Sequence, residues 1–113
     1  MKLSLIITTY NSEEWLKKVL LGYAVQTESD FEILIADDGS TSKTKELVAS
    51  FQGKFKYRLI HVWQEDNGFR KPEILNKAIL KSNSDYLLFT DGDCIPKKDF
   101  VATHVASNIG ARR

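Results

Sequence analysis

The sequence predicts an α/β fold with a mostly parallel sheet and right-handed crossovers. Three observations carry that prediction. Short apolar runs of strand length alternate throughout with segments of helical spacing. The runs are nearly continuous, as in strands buried on both faces. Each run ends in polar residues: Tyr10-Asn11, Asp37-Asp38, Gln64-Glu65-Asp66 and Asp91-Gly92-Asp93.

Leu3 to Thr8 is apolar, rich in β-branched residues and too short for a helix, so it predicts the first strand. Asn11 is a favoured helix cap and Glu14, three residues on, completes a capping box, which places a helix start at Asn11. Trp15, Leu16, Val19, Leu20 and Tyr23 follow at helical spacing as the core face, with the helix ending near Gln26. Phe31 to Ala36 predicts a second strand. A helix carrying Leu47, Val48 and Phe51 follows and stops at Gly53. Tyr57 to Trp63 predicts the third strand. Pro72 suits the first turn of a third helix, which runs through Ile74, Leu75, Ala78 and Ile79 to about Ser82. Tyr86 to Phe89 predicts the fourth strand, and Pro96 is expected to open a last helix through Phe100, Val101 and Val105.

The parallel sheet gives the polar clusters one location. All carboxyl ends of its strands lie on one edge, where open α/β folds bind ligands at the switch in strand order. Carboxylates gathered there repel one another, so a cation is expected among them. Asp91 and Asp93 are the strongest candidates. Two apart on an extended chain they would face opposite ways, and Gly92 is expected to turn the backbone so that both approach one point. Such oxygens suit a hard divalent cation that also carries phosphate oxygens and water. Read singly, each cluster is more readily a solvated loop, and it is the four in register that point to a site.

Length and composition set bounds. The 113 residues suit one domain with a modest core. Hydrophobic content is 42% and charged content 27%, as in ordinary globular proteins. A net charge of +1 gives no electrostatic case for nucleic acid. No apolar run approaches the roughly 20 residues of a transmembrane helix, and the N-terminal run is too short for a signal peptide. The single Cys94 excludes an internal disulfide, so a cytoplasmic protein is expected.

The clusters also carry a resemblance. Ile6-Ile7-Thr8-Thr9-Tyr10-Asn11, Gln26-Thr27, Asp37-Asp38-Gly39-Ser40 and Asp91-Gly92-Asp93 resemble, in order and spacing, the motifs of family-2 glycosyltransferases. Trp63 to Arg70 resembles a bacterial polysaccharide-synthesising branch, including chondroitin-polymerase-like enzymes. The resemblance implies the N-terminal half of a GT-A fold, a Rossmann-like sheet in strand order 3-2-1-4. It implies a nucleotide-sugar donor, with Thr8 and Tyr10 bordering base and ribose. Asp38 would accept the imide N–H of uracil, favouring UDP, and Asp37 would steady that loop. Arg70 would lie towards the base or diphosphate. Asp91 would sit near ribose or metal, and Asp93 would be the main ligand of Mn²⁺ or Mg²⁺, which neutralises the departing diphosphate. Transfer would be inverting, to a glycan acceptor.

Inverting transfer needs a general base beside the acceptor hydroxyl. Family members extend further and supply it there, so residues 1–113 are expected to be a truncated donor-binding portion, with no base assigned. Glu65 and Asp66 are read as solvated or donor-side groups. A binding module that holds nucleotide and metal without transfer is the alternative, and is the expected behaviour of these residues alone. A receiver-type regulator ranks below both, because the lysines fall on predicted helices and loops. An uncovered sheet edge would promote self-association. Elsewhere structural roles are expected: Cys94 as a packed thiol, His104 as a surface or partly packed residue, His61 as a satisfied strand residue, and Trp15 and Trp63 as core or sheet-face residues.

Overall fold

The computed structural model describes residues 3–28, 30–55, 57–68 and 70–110, with backbone alone over 107–110. Strands and helices alternate: β1 (Leu3–Thr9), α1 (Glu13–Ala24), β2 (Phe31–Asp38), α2 (Ser42–Gln52), β3 (Leu59–Gln64), α3 (Lys71–Lys81), β4 (Leu87–Asp91) and α4 (Phe100–Gly110). The four strands form one parallel sheet in the order β3-β2-β1-β4.

That order fixes the layers. The chain steps from β1 to β2 to β3 in one direction, then returns across the sheet to β4. Right-handed crossovers therefore put α1 and α2 on one face and α3 on the other. The core divides accordingly. Leu5, Ile7, Ile33 and Ile35 pack with Leu16, Leu20 and Tyr23 of α1, Val48 of α2 and Val101 of α4. Ile6, Leu34, Ala36 and Val62 pack with Ile74 and Ala78 of α3. Alternate residues of each strand thus serve opposite faces. The order reverses between β1 and β4, where an open sheet leaves a crevice.

Several boundaries differ from the sequence expectation for identifiable reasons. Asn11 does not cap α1. It sits at φ 46°, a left-handed conformation Asn tolerates, and its Oδ1 accepts from the Thr41 N–H at 2.9 Å. The helix begins two residues later behind Ser12, with Glu13 and Glu14 favourably placed in its positive first turn. Pro96 does not open α4, which starts at Phe100. Its first turn is held from afar: Gln26 Oε1 accepts from the Val101 N–H at 3.0 Å, and Gln26 Nε2 donates to Lys97 O at 2.7 Å. Tyr57 precedes β3, with its ring 4.1 Å from that of Phe31 and its hydroxyl donating to Tyr23 O. Neither tryptophan is core. Trp15 is 49% exposed beneath the Lys18 ammonium, and Trp63 is 51% exposed with its indole N–H on Ser40 O. Among the described residues no helix is long and apolar enough to cross a membrane.

Candidate functional site

The crevice at the strand switch is an open cleft of about 600 Å³. Strand periodicity decides what enters it. Thr8 of β1, Ala36 and Asp38 of β2 and Asp91 of β4 all face the α3 side, and all four line it. The start of α3 contributes Lys71 and Ile74; Tyr10, Trp15, Asp66 and Asp93 complete the rim.

At one end, Thr8 and Asp91 are register partners across β1 and β4, and the Thr8 hydroxyl donates to Asp91 Oδ1 at 2.9 Å. Lys71 Nζ stands 3.8 Å from the same oxygen. The turn after β4 is pressed onto β1, with the Gly92 N–H donating to Thr8 O at 2.8 Å. A Cβ at Gly92 would lie only 2.8 Å from that carbonyl oxygen. Gly92 is therefore required for close approach, and it does not adopt a positive φ. The turn brings potential donor atoms of Asp91, Asp93 and Cys94 within 4.8 Å of one another. Cys94 is exposed, not packed, with its sulfur 3.7 Å from Asp93 Oδ1. Two accessible carboxylates with room for further oxygen ligands fit a hard divalent cation, while the thiol is a soft donor beside them.

At the other end, Asp37 and Asp38 face opposite sides of the sheet. Asp38 accepts from Gln64 Nε2 and from the Arg70 backbone N–H, each at 2.8 Å. Asp37 is fully buried on the α2 side, where it meets His61 Nε2 at 2.7 Å and accepts the Ser40 N–H at 2.9 Å. It is behind the cleft, not in it. Gly39, at φ 93°, lets this loop touch the next: a Cβ there would fall 2.4 Å from the Asp66 Cβ. Asp66 in turn accepts the Tyr10 hydroxyl at 2.8 Å. This hydrogen bond, reinforced by the charge of Asp66, raises the Tyr10 phenol above its ordinary pKa.

Of the residues singled out in the sequence, Thr8, Tyr10, Asp38, Asp91 and Asp93 come together at the cleft. The Arg70 side chain does not line it, because its Nε is 2.7 Å from Glu73 Oε2. Lys71 was missed; Ile74 is buried in the core as expected and also borders the cleft, while Trp15, expected in the core, lies at its rim. Lys71 could have been found as the basic residue next to Pro72, at a helix start directed toward the acidic edge. His104 is partly buried, with its ring 4.7 Å from that of Phe100.

Fold and cleft define a Rossmann-like α/β domain with its ligand edge at the strand switch. The family described as "Glycosyl transferase family 2" matches residues 4–107, and the chain belongs to it. The uncharacterized glycosyltransferase YfnE of Bacillus subtilis is 35% identical over 109 residues, covering 96% of this chain and 27% of that protein. A validoxylamine A glucosyltransferase of Streptomyces hygroscopicus subsp. limoneus is 33% identical, covering 96% of this chain and 24% of that protein. The chain thus spans about a quarter of the length of these relatives. Among solved structures, Staphylococcus aureus TarS 1-349 in complex with UDP-GlcNAc superposes with a TM-score of 0.77 at 30% identity, over 94% of this chain and 30% of that one. These likenesses identify the fold as GT-A.

Proposed function

We propose that this chain is the donor-binding domain of a metal-dependent, inverting glycosyltransferase that takes a UDP-sugar and serves a glycan acceptor, in the cytoplasm. One observation carries the reading: Thr8, Asp38, Asp91 and Asp93 converge on a single cleft at the strand switch. The likeness to TarS, solved with UDP-GlcNAc, supports UDP as the nucleotide.

Asp38 suits the imide N–H of uracil because Gln64 and the Arg70 backbone already fix both its oxygens. Each oxygen keeps a free lone pair, so the acceptor is aimed before the ligand arrives. Thr8 and Tyr10 border base and ribose. Asp93 and Asp91 would hold Mn²⁺ or Mg²⁺, which when bound neutralises charge on the departing diphosphate. Lys71 adds a positive charge at the same end of the cleft. Lys71→Ala should therefore weaken UDP about tenfold. Arg70→Ala should change it less than about threefold, because only the Arg70 backbone meets Asp38. Parallel calorimetric titrations check the contrast; equal losses would return the Arg70 guanidinium to the donor site.

A binding module without transfer is the second reading. It is favoured by the other uses of the cleft carboxylates: Asp38 is given to the nucleotide base, Asp66 accepts the Tyr10 hydroxyl, and Asp91 faces the metal site. With Asp93 given to the metal, no cleft carboxylate is assigned as base. Calorimetric titration with UDP, with and without Mn²⁺, tests nucleotide and metal binding together. Binding that strengthens with Mn²⁺ is expected, and a folded protein that binds UDP in neither condition overturns the proposal. Release of UDP from a UDP-sugar in the presence of a glycan acceptor would decide for transfer over simple binding.

A further inference from the structure

We propose that His61, on the far side of the sheet from the cleft, is a positioning residue that sets the selectivity of the nucleotide site for uracil. The inference rests on the reading of Asp38 as the contact to the base.

β3 clamps the tip of β2 from both faces. Gln64 holds Asp38 on the cleft side, and His61 holds Asp37 on the opposite side. Asp37 and Asp38 are adjacent, so the backbone position of one fixes the other. Packing alone does not hold Asp37. Its carboxylate is fully buried, and such a group is costly to retain without a partner for each oxygen. Oδ2 has the imidazole at 2.7 Å and Oδ1 has the Ser40 N–H at 2.9 Å.

The restraint extends beyond this pair. The Ser40 hydroxyl oxygen accepts the Asn11 N–H at 2.7 Å, which joins the loop after β2 to the loop carrying Tyr10. Removing the imidazole leaves one oxygen of a buried carboxylate unpaired. Asp37 then relieves the cost by turning toward water, and a turn of its backbone carries Asp38 with it. A second group of space and chemistry adequate to pair Asp37 would prevent this. Because the metal ligands lie on β4 and its turn, the disturbance falls on the base end of the cleft and spares the metal end.

CDP separates base recognition from diphosphate binding, since cytosine carries an acceptor where uracil carries the imide N–H. The test is titration of native protein, His61→Ala, His61→Gln and His61→Asn with UDP and with CDP in Mn²⁺, alongside Mn²⁺ alone. Native protein should prefer UDP. His61→Ala should lose about tenfold in UDP affinity, with a smaller loss for CDP and Mn²⁺ affinity unchanged, so that the preference collapses. His61→Gln, whose Nε2 can reach Asp37, should restore the preference, and the shorter Asn should not. Should His61→Ala fail to fold, the Gln and Asn variants decide the matter. An unchanged UDP-to-CDP ratio in Ala or Asn overturns the proposal, as does equal loss of UDP, CDP and Mn²⁺. Absence of UDP binding by the native protein would instead remove the nucleotide reading on which this one stands.

Discussion

Asp93→Ala should abolish the Mn²⁺-dependent part of UDP binding, raising Kd by about 30- to 100-fold in saturating Mn²⁺ and leaving metal-free binding unchanged. The size follows from what the carboxylate does. In the proposed site Asp93 is the main protein ligand of an ion that also takes phosphate oxygens, so losing it removes a full negative charge from a cation's coordination sphere. Asp91 remains, but its Oδ1 is already shared with the Thr8 hydroxyl and faces the Lys71 ammonium. It is a poor substitute. Stability should not change, because Asp93 is exposed and its described side-chain contact is with the neighbouring Cys94 thiol. An unaltered melting curve together with lost Mn²⁺ enhancement is the expected pair of results. Cys94→Ser should keep the enhancement, since two carboxylates suffice for a hard cation. Enhancement that survives Asp93→Ala would move the metal away from the β4 turn.

How much of this was legible in the sequence depends on the range of the interaction concerned. The alternation of strands and helices and the shared ligand edge follow from local signals: apolar runs of strand length, and polar residues at each run's end. The strand order rests on the resemblance to the family. Asp38, Asp91 and Thr8 could be placed at one edge because a parallel sheet leaves no other arrangement. What stayed hidden was set by contacts distant in sequence. Asn11 has the spacing of a capping box, yet its amide is used on Thr41, thirty positions away. The first turn of α4 is capped by Gln26, so Pro96 was a misleading start signal. Trp15 falls at a helical position next to Leu16, and a rotation of one residue separates the core from the cleft rim. The adjacent pair Asp37-Asp38 was readable as a strand end. Only the alternation of strand faces shows that one carboxylate serves the cleft while the other is buried behind it.

Glu32→Ala should destabilise the fold by about 3 kcal/mol, with the midpoint of thermal unfolding falling by roughly 10 °C or more. Glu32 lies in the apolar run of β2 and is fully buried, which gives no sign in the sequence of how much it holds. Its Oε2 accepts from the Ser4 hydroxyl at 2.6 Å and from the Asn83 N–H at 2.5 Å, and its Oε1 meets Arg58 Nη1 at 2.9 Å. The Ser4 oxygen passes the link on, accepting the Ser84 N–H at 3.1 Å. One carboxylate thereby ties β1, β2 and the approach to β3 to the connection between α3 and β4, the crossover that reverses the strand order. The Arg58 contribution is discounted, since its side chain is 45% exposed and can turn to water. The cost comes from the Asn83 N–H and the Ser4 hydroxyl losing their shared acceptor, together with the cavity left by the missing side chain. Glu32→Gln retains one acceptor oxygen and fills the volume, so it should cost about half as much. This network sits at the opposite edge of the sheet from Asp38 and Asp91. UDP affinity measured well below the melting midpoint should therefore match that of the native protein in both variants. Denaturant unfolding separates the outcomes: a Glu32→Ala curve superposing on the native one would mean that packing of the two cores, not this carboxylate, holds the crossover in place.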